Sequence, residues 1–221
     1  MLKLLKSANR WHETLFMCAL TSMCFAFSLF RFLYTDTKVF LFLNWNLFLA
    51  MVPWALTTLV TIKPKIQKKI FVIVLLFVVW LLFFPNAPYI LTDLFHLRLN
   101  STMPIWFDLI LILLFAWTGL MFGFLSLWDM ERILSYSIKK FWIYLFSSTI
   151  LFIGSFGVYL GRYLRWNSWD IIQEPFNLFY DLTDRIINPW AHPRTWGMTI
   201  FLGLFLNMIY WSFKLVRKRD L

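Results

Sequence analysis

The sequence predicts an all-α, polytopic membrane protein of about six transmembrane helices, and three observations predict it. Of its 221 residues, 61% are hydrophobic and only 14% are charged, whereas a soluble domain averages roughly 45–50% apolar and about 25% charged. Apolar runs close to the roughly 20 residues that a helix needs to cross about 30 Å of hydrocarbon recur from one end to the other. Lysine and arginine alternate in density from one connection to the next. No stretch remains for a separate soluble domain, so residues 1–221 read as a single integral membrane domain.

The first run, 15–33, follows Lys3, Lys6 and Arg10 and so resembles a signal peptide. It exceeds the roughly 7–15 apolar residues of a signal core and no small-residue cleavage site follows, so it reads as a retained span. The second run, 39–62, carries Pro53 and two asparagines, Asn44 and Asn46. The third covers 70–84 and extends to 91 if the segment after Pro85 stays in the membrane. The fourth, fifth and sixth are 105–128, 141–160 and 197–216. Trp106, Trp128, Trp142, Trp166, Trp190 and Trp196 stand at the ends of these runs, the headgroup level that amphipathic rings favour.

The connection 161–196 is long for a structureless loop, so it is expected to contain structure. Within it, 175–187 reads as an interfacial helix. Phe176, Phe179, Tyr180, Ile186 and Ile187 share one face, and Asn177, Asp181, Asp184 and Arg185 the other. Pro175 suits a first helical turn and Asn188-Pro189 stops the helix. Such a helix lies on the outer surface with its apolar face in the acyl boundary.

Orientation follows from the cations. One set of segments holds Lys3, Lys6, Arg10, Lys63, Lys65, Lys68, Lys69, Arg132, Lys139, Lys140, Lys214, Arg217, Lys218 and Arg219. The alternate set holds Arg31, Lys38, Arg98, Arg162, Arg165, Arg185 and Arg194, so the split is 14 against 7. The positive-inside rule then places both termini in the cytoplasm. The external side also carries Asp36, Asp93, Asp108, Asp170, Glu174, Asp181 and Asp184 and is near neutral. The net charge of +10 therefore lies on the inner side, where anionic lipid accounts for it. Membrane lipid is the implied partner; nucleic acid is not needed, and no protein partner is indicated. The inner connections are a basic hairpin at 63–69 and a short amphipathic link at 129–140.

The segment after the third run is the most informative. Residues 70–84 give roughly 22 Å of helix, short of the roughly 30 Å core. Pro85, Asn86 and Pro88 then fall at outer-leaflet depth. Pro88 disfavours helix at Ala87, and both prolines remove a donor. Asn86 can satisfy freed carbonyls. Two readings fit: an unwound, re-entrant segment lining a polar cavity, or a proline kink packed against its neighbours.

Asp93 and His96 follow. If Thr92 caps a short helix, they lie three apart on one face, the spacing of a metal-ligand pair or of a base with its orienting carboxylate. Asp108 lies just inside the fourth run, where a carboxylate is costly unless paired or near water. It closes a catalytic group with Asp93 and His96, or it pairs with Arg98 or Arg162. In that second case Asp93 is a helix cap. Arg162 and Arg165 share a helical face at the outer end of the fifth run, against the positive-inside bias. They recognise a lipid or polyprenyl phosphate, or they pair internally with Asp93, Asp108 or Asp170. Ser168 before Trp169-Asp170 reads as a helix start, and His192 as a solvated loop histidine. Asp93, His96 and Asp108 are thus the candidate catalytic residues, and Asn86, Arg162, Arg165 and Asp170 the candidate ligand-binding residues.

Cys18 and Cys24 lie six apart in one run, so a helix points them in different directions and they neither pair nor ligate a metal. No phosphate-binding glycine loop, H-E-x-x-H, G-x-S-x-G or C-x-x-C occurs. No motif names a cofactor, and ATP-driven transport by this chain alone is not expected.

Pro85-Asn86-Ala87-Pro88-Tyr89-Ile90-Leu91-Thr92-Asp93-Leu94-Phe95-His96-Leu97, then Trp106-Phe107-Asp108, then 161–170 together resemble the bacterial family of multi-pass membrane proteins catalogued as domain of unknown function 1361. The resemblance covers nearly the whole chain. It implies the bacterial cytoplasmic membrane and no reaction. Three function classes follow from the residues: a protein with a small polar site at its outer face for a lipid-linked or phosphorylated ligand, a small transporter or transporter subunit, and a non-catalytic scaffold.

Overall fold

A computed structural model of the chain describes residues 10–63, 67, 69–97, 103–135 and 138–217, with the side chains of Ile70 and Arg217 left aside. Every regular element among the described residues is helical. Six helices are long and apolar enough to cross a membrane: Trp11–Thr35, Phe42–Ile62, Phe71–His96, Ile105–Leu134, Lys140–Leu164 and Pro193–Val216. Many of their large apolar side chains point outward. Phe71 is 77% exposed and Phe201 is also 77% exposed, which a bilayer accommodates and water does not. The chain is a multi-pass integral membrane protein.

Contacts divide it into two compact units, one running to Ile133 and the other from Leu134. The first unit holds α1 (Trp11–Thr35), α2 (Phe42–Ile62), α3 (Ile70–Phe83), α4 (Asn86–Tyr89), a 3-10 segment (Ile90–His96) and α5 (Ile105–Leu134). α1 closes on Asp36 in the left-handed region, φ 49°, whose N–H bonds the Phe32 carbonyl. A short acidic side chain tolerates that conformation at a helix end. Met17, Leu43, Leu47, Leu111 and Phe115 build the core.

The path after α3 departs from the unwound of the two readings. The chain does not unwind at Ala87; it resumes as α4 and tightens into the 3-10 segment. Pro85 occupies the N-cap position of α4 with φ −60° and ψ −22°, and Pro88 sits within its first turn. Neither missing N–H is needed there, so the prolines restart a helix instead of breaking one. Asn86 donates to the Phe83 carbonyl at 2.9 Å and so satisfies an acceptor that Pro85 and its neighbours free. The helical path thus reaches His96, and the third span has sufficient length.

α5 holds this element close. An added Cβ at Gly119 would lie 2.8 Å from Ile90 Cδ1 and 3.1 Å from the Ala87 carbonyl oxygen. One at Gly123 would lie 2.7 Å from Ala87 Cβ. Two glycines four apart let backbones approach, as small residues do between membrane helices. Trp80 Nε1 donates to Ser126 Oγ at 3.1 Å one turn further along.

The second unit holds α6 (Lys140–Tyr159), a π-turn (Leu160–Leu164), α7 (Asp170–Gln173), α8 (Pro175–Ile187) and α9 (Pro193–Arg217). α6 and α9 pair through a close approach at Gly203, where a Cβ would meet the Phe152 ring at 2.2 Å. Trp211 Nε1 donates to Ser148 Oγ at 3.3 Å along the same seam. α8 begins at Pro175 and ends before Asn188, as the sequence signals imply.

Other expectations change. Residues 129–134 continue α5 and are not a link. Most of the basic hairpin 63–69, Arg98, Lys3 and Lys6, and Lys218 and Arg219 lie outside the described residues. Helix α7 starts at Asp170, and the Asp170 carboxylate accepts from Asn167 N at 2.6 Å and Asn167 Nδ2 at 3.1 Å. Ser168 is therefore not the N-cap; Trp169 stands there.

Candidate functional site

In the first unit, Asp93 sits in the 3-10 segment fully buried. A buried carboxylate needs donors, and Asn46 of α2 supplies one: its Nδ2 lies 3.0 Å from Asp93 Oδ2. His96 follows one 3-10 turn later, with Nδ1 at 3.8 Å from Asp93 Oδ1. That is ion-pair distance for a protonated ring, longer than a hydrogen bond. The His96 side chain is 46% exposed and rests against Phe42, ring centroids 5.4 Å apart. The pair therefore presents an exposed imidazole on a buried carboxylate. Thr92 does not cap a helix; its hydroxyl donates to the Tyr89 carbonyl at 2.6 Å. Asp93 is inside the turn and not a cap.

Asp108 has a different partner from those expected. Arg31 of α1 grips it, Nε to Oδ1 at 2.6 Å and Nη2 to Oδ2 at 3.2 Å. Both side chains are almost wholly buried, at 3% and 2% exposure. Arg31 also donates from Nη1 to Thr37 Oγ1 at 3.1 Å and to the Val39 carbonyl at 3.0 Å, and its guanidinium covers the Phe40 ring at 4.8 Å. Such a bidentate fork engages both carboxylate oxygens. Asp108 is thus part of an ion pair, whereas Asp93 and His96 form the rim group.

A second buried pair lies at the other end of the same helices. Arg10 Nη1 bonds Asp129 of α5, and Arg10 Nη2 reaches Thr58 Oγ1 at 2.8 Å and Glu13 Oε1 at 2.7 Å. Thr57 Oγ1 donates to Asp129 Oδ2 at 2.8 Å, and Trp54 Nε1 to Glu13 Oε1 at 2.8 Å. Arg10 and Arg31 are 21 residues apart, and so are Asp108 and Asp129. Two antiparallel helices with charges at equal spacing pair at both ends in one register. At 1.5 Å per residue that spacing is roughly 31 Å, the thickness of the hydrocarbon core. Between the two pairs, Cys24 Sγ lies 3.3 Å from Thr118 Oγ1. Neither pair is apparent from local motifs; the matching 21-residue spacing is the signal in the sequence that points to them.

In the second unit, the π-turn alters the expected arginine face. Backbone bonds five residues apart widen the turn, and Arg165 leaves it in the left-handed region, φ 63°, exposed. Arg162 and Arg165 therefore do not continue one α-helical face. Asp170 is engaged by Asn167. His192 is not a free loop side chain: its Nε2 lies 2.7 Å from Asp184 Oδ2. Hydrogen bonds from Asn188 and then His192 hold the Asp184 carboxyl below its ordinary range.

Among the described residues no three His, Cys, Asp or Glu side chains converge as a metal-binding group. The polar group presented at this rim is the exposed His96 ring, with the buried Asp93 carboxylate behind it.

A family model described as "Protein of unknown function (DUF1361)" matches residues 45–209. No curated protein and no solved structure matches the chain.

Proposed function

We propose a function for this chain, which belongs to the DUF1361 family, from its own geometry: it binds a phosphorylated or lipid-linked anionic ligand at the outer face of the bacterial cytoplasmic membrane, with both termini inside. The observation that carries the reading is a buried Asp93 behind an exposed His96. The exposed ring offers N–H donors to a ligand, and a ring N–H is a donor for phosphate oxygen. Asn46 fixes the carboxylate. Asn86, bonded to the Phe83 carbonyl, shapes the backbone behind the site. The 14-to-7 division of cations supports the orientation.

Asp108 has a holding role in this reading, and the ligand contact is His96, backed by Asp93. A non-catalytic scaffold is the second reading, favoured by the mutual engagement of Arg10, Glu13, Asp129, Arg31 and Asp108 within the first unit.

The test is ligand-dependent stability in nanodiscs with a polyprenyl monophosphate. Saturation at 100 times the dissociation constant stabilises a binder by about 2.7 kcal/mol. Wild type should show that gain and His96→Gln should lose most of it. Equal gains in both proteins, or none in either, would remove the site reading and leave the scaffold.

A further inference from the structure

We propose that α8, with its flanking residues Ile172 and Trp190, is seated in the acyl–headgroup boundary of the outer leaflet and that the bilayer itself is its partner.

The two faces of α8 carry the argument. Its polar face is the one held by the rest of the second unit. Trp166 Nε1 donates to Asp181 Oδ2 at 2.8 Å, and Trp196 Nε1 donates to the Arg185 carbonyl at 3.0 Å. Asp184 meets His192 just before α9 begins. Arg185 is buried and bonds both the carbonyl and the carboxylate of Asp181. The apolar face points the other way. Phe176 is 87% exposed, Tyr180 72%, Phe179 and Ile187 each 69%, and Ile186 60%. Ile172, at 83%, and Trp190, at 95%, extend this surface beyond both ends of the helix.

A helix of a water-soluble protein packs its apolar stripe inward and shows its charges to solvent. This one is inverted, so its outward medium is apolar. The occupant follows from continuity. The chain enters the segment from the end of one spanning helix at Leu164 and leaves it into another at Pro193. Both ends of the segment are thereby tied to the membrane surface at which those spans emerge. The face itself carries no lysine or arginine, and it includes a tryptophan and a tyrosine, the rings that settle at headgroup depth. An apolar face with a polar, anchored back is the arrangement of a helix lying in the interface plane.

The experiment uses spin labels on the full chain in vesicles of phosphatidylethanolamine and phosphatidylglycerol, in a background with Cys18 and Cys24 replaced by serine. Nitroxides are placed singly through Phe179→Cys, Ile187→Cys and Asn177→Cys. Phe179 and Ile187 are exposed, as is Asn177 off the apolar stripe, so the labels do not disturb packing. The expected result is collision with oxygen exceeding collision with a water-soluble nickel chelate at 179 and 187, and the reverse at 177. Nickel access at all three positions would show a face bathed in water and overturn the proposal. Low access of both reagents at 179 and 187 would show a second copy or another protein on the face, and would overturn it equally.

Discussion

Truncation of Asp108 to alanine takes from the buried Arg31 guanidinium the carboxylate that it grips in a fork. The pair is closed to solvent, with side-chain exposures of 3% and 2% and contacts of 2.6 and 3.2 Å. Breaking such a pair by removing one partner costs about 3–5 kcal/mol, because the remaining ion keeps its desolvation penalty and loses its attraction. Against a typical total of about 5–15 kcal/mol, that is a large fraction of stability. Thr37 and the Val39 carbonyl still accept from Nη1, which favours the lower part of that range. Replacing both partners by apolar residues of similar volume, Arg31→Met with Asp108→Leu, removes the stranded charge and should restore most of the loss. The assay is equilibrium unfolding by sodium dodecyl sulfate titration in mixed micelles, run on the wild type, both single variants and the double. The reasoning predicts single losses of about 3 kcal/mol or more and strong non-additivity. Single losses under about 1 kcal/mol, the size of a solvated pair, or additive losses in the double variant, would refute it.

The second pair should respond more weakly: Asp129→Ala takes one carboxylate from Arg10 but leaves Glu13 at 2.7 Å, so its cost in the same titration should fall below the roughly 3–5 kcal/mol of a stranded charge, with a smaller loss still for Thr57→Val, which removes one hydrogen bond to the carboxylate. Gly123→Ala adds a methyl 2.7 Å from Ala87 Cβ, a rigid neighbour, and should lower stability by about 1–3 kcal/mol through overpacking; a gain would mean that α4 and α5 do not approach as described. The Asp184 carboxyl is held low by Asn188 and His192. Its folded value lies below its unfolded value, so its contribution is present above the unfolded value and disappears as pH falls through the folded one. His192→Ala should move the carboxyl resonance of Asp184 toward the ordinary range in an NMR pH titration, and an unchanged midpoint would count against the contact.

Local signals in the chain read well and distant ones read poorly. Pro175 and Asn188-Pro189 sit at the helix termini where such residues act, so the limits of α8 were legible. Span positions follow from apolar length alone and agree with the six long helices. The Pro85–Pro88 segment was harder. Local preference argues against helix at Ala87, but contact with Gly119 and Gly123 favours a compact turn, and tertiary packing prevails over propensity. The fate of Asp108 depended on Arg31, 77 residues away, and no local spacing contains that. The face shared by Arg162 and Arg165 was read from a period of 3.6, which the π-turn changes. Asp93 and His96 were legible as neighbours because a 3-10 turn also brings residues three apart onto one side, while the role of Asn46 required the packing of α2 against that turn.

The chain contains three histidines, His12, His96 and His192, so protein labelled only at histidine gives a spectrum simple enough to assign by single substitutions. The most direct measurement is the response of those three signals, in nanodiscs, to an added polyprenyl monophosphate. A site at the outer rim predicts that the His96 signal shifts saturably while His12 and His192 stay in place. No shift in any signal, or a shift at His12 or His192 with His96 unmoved, would contradict it.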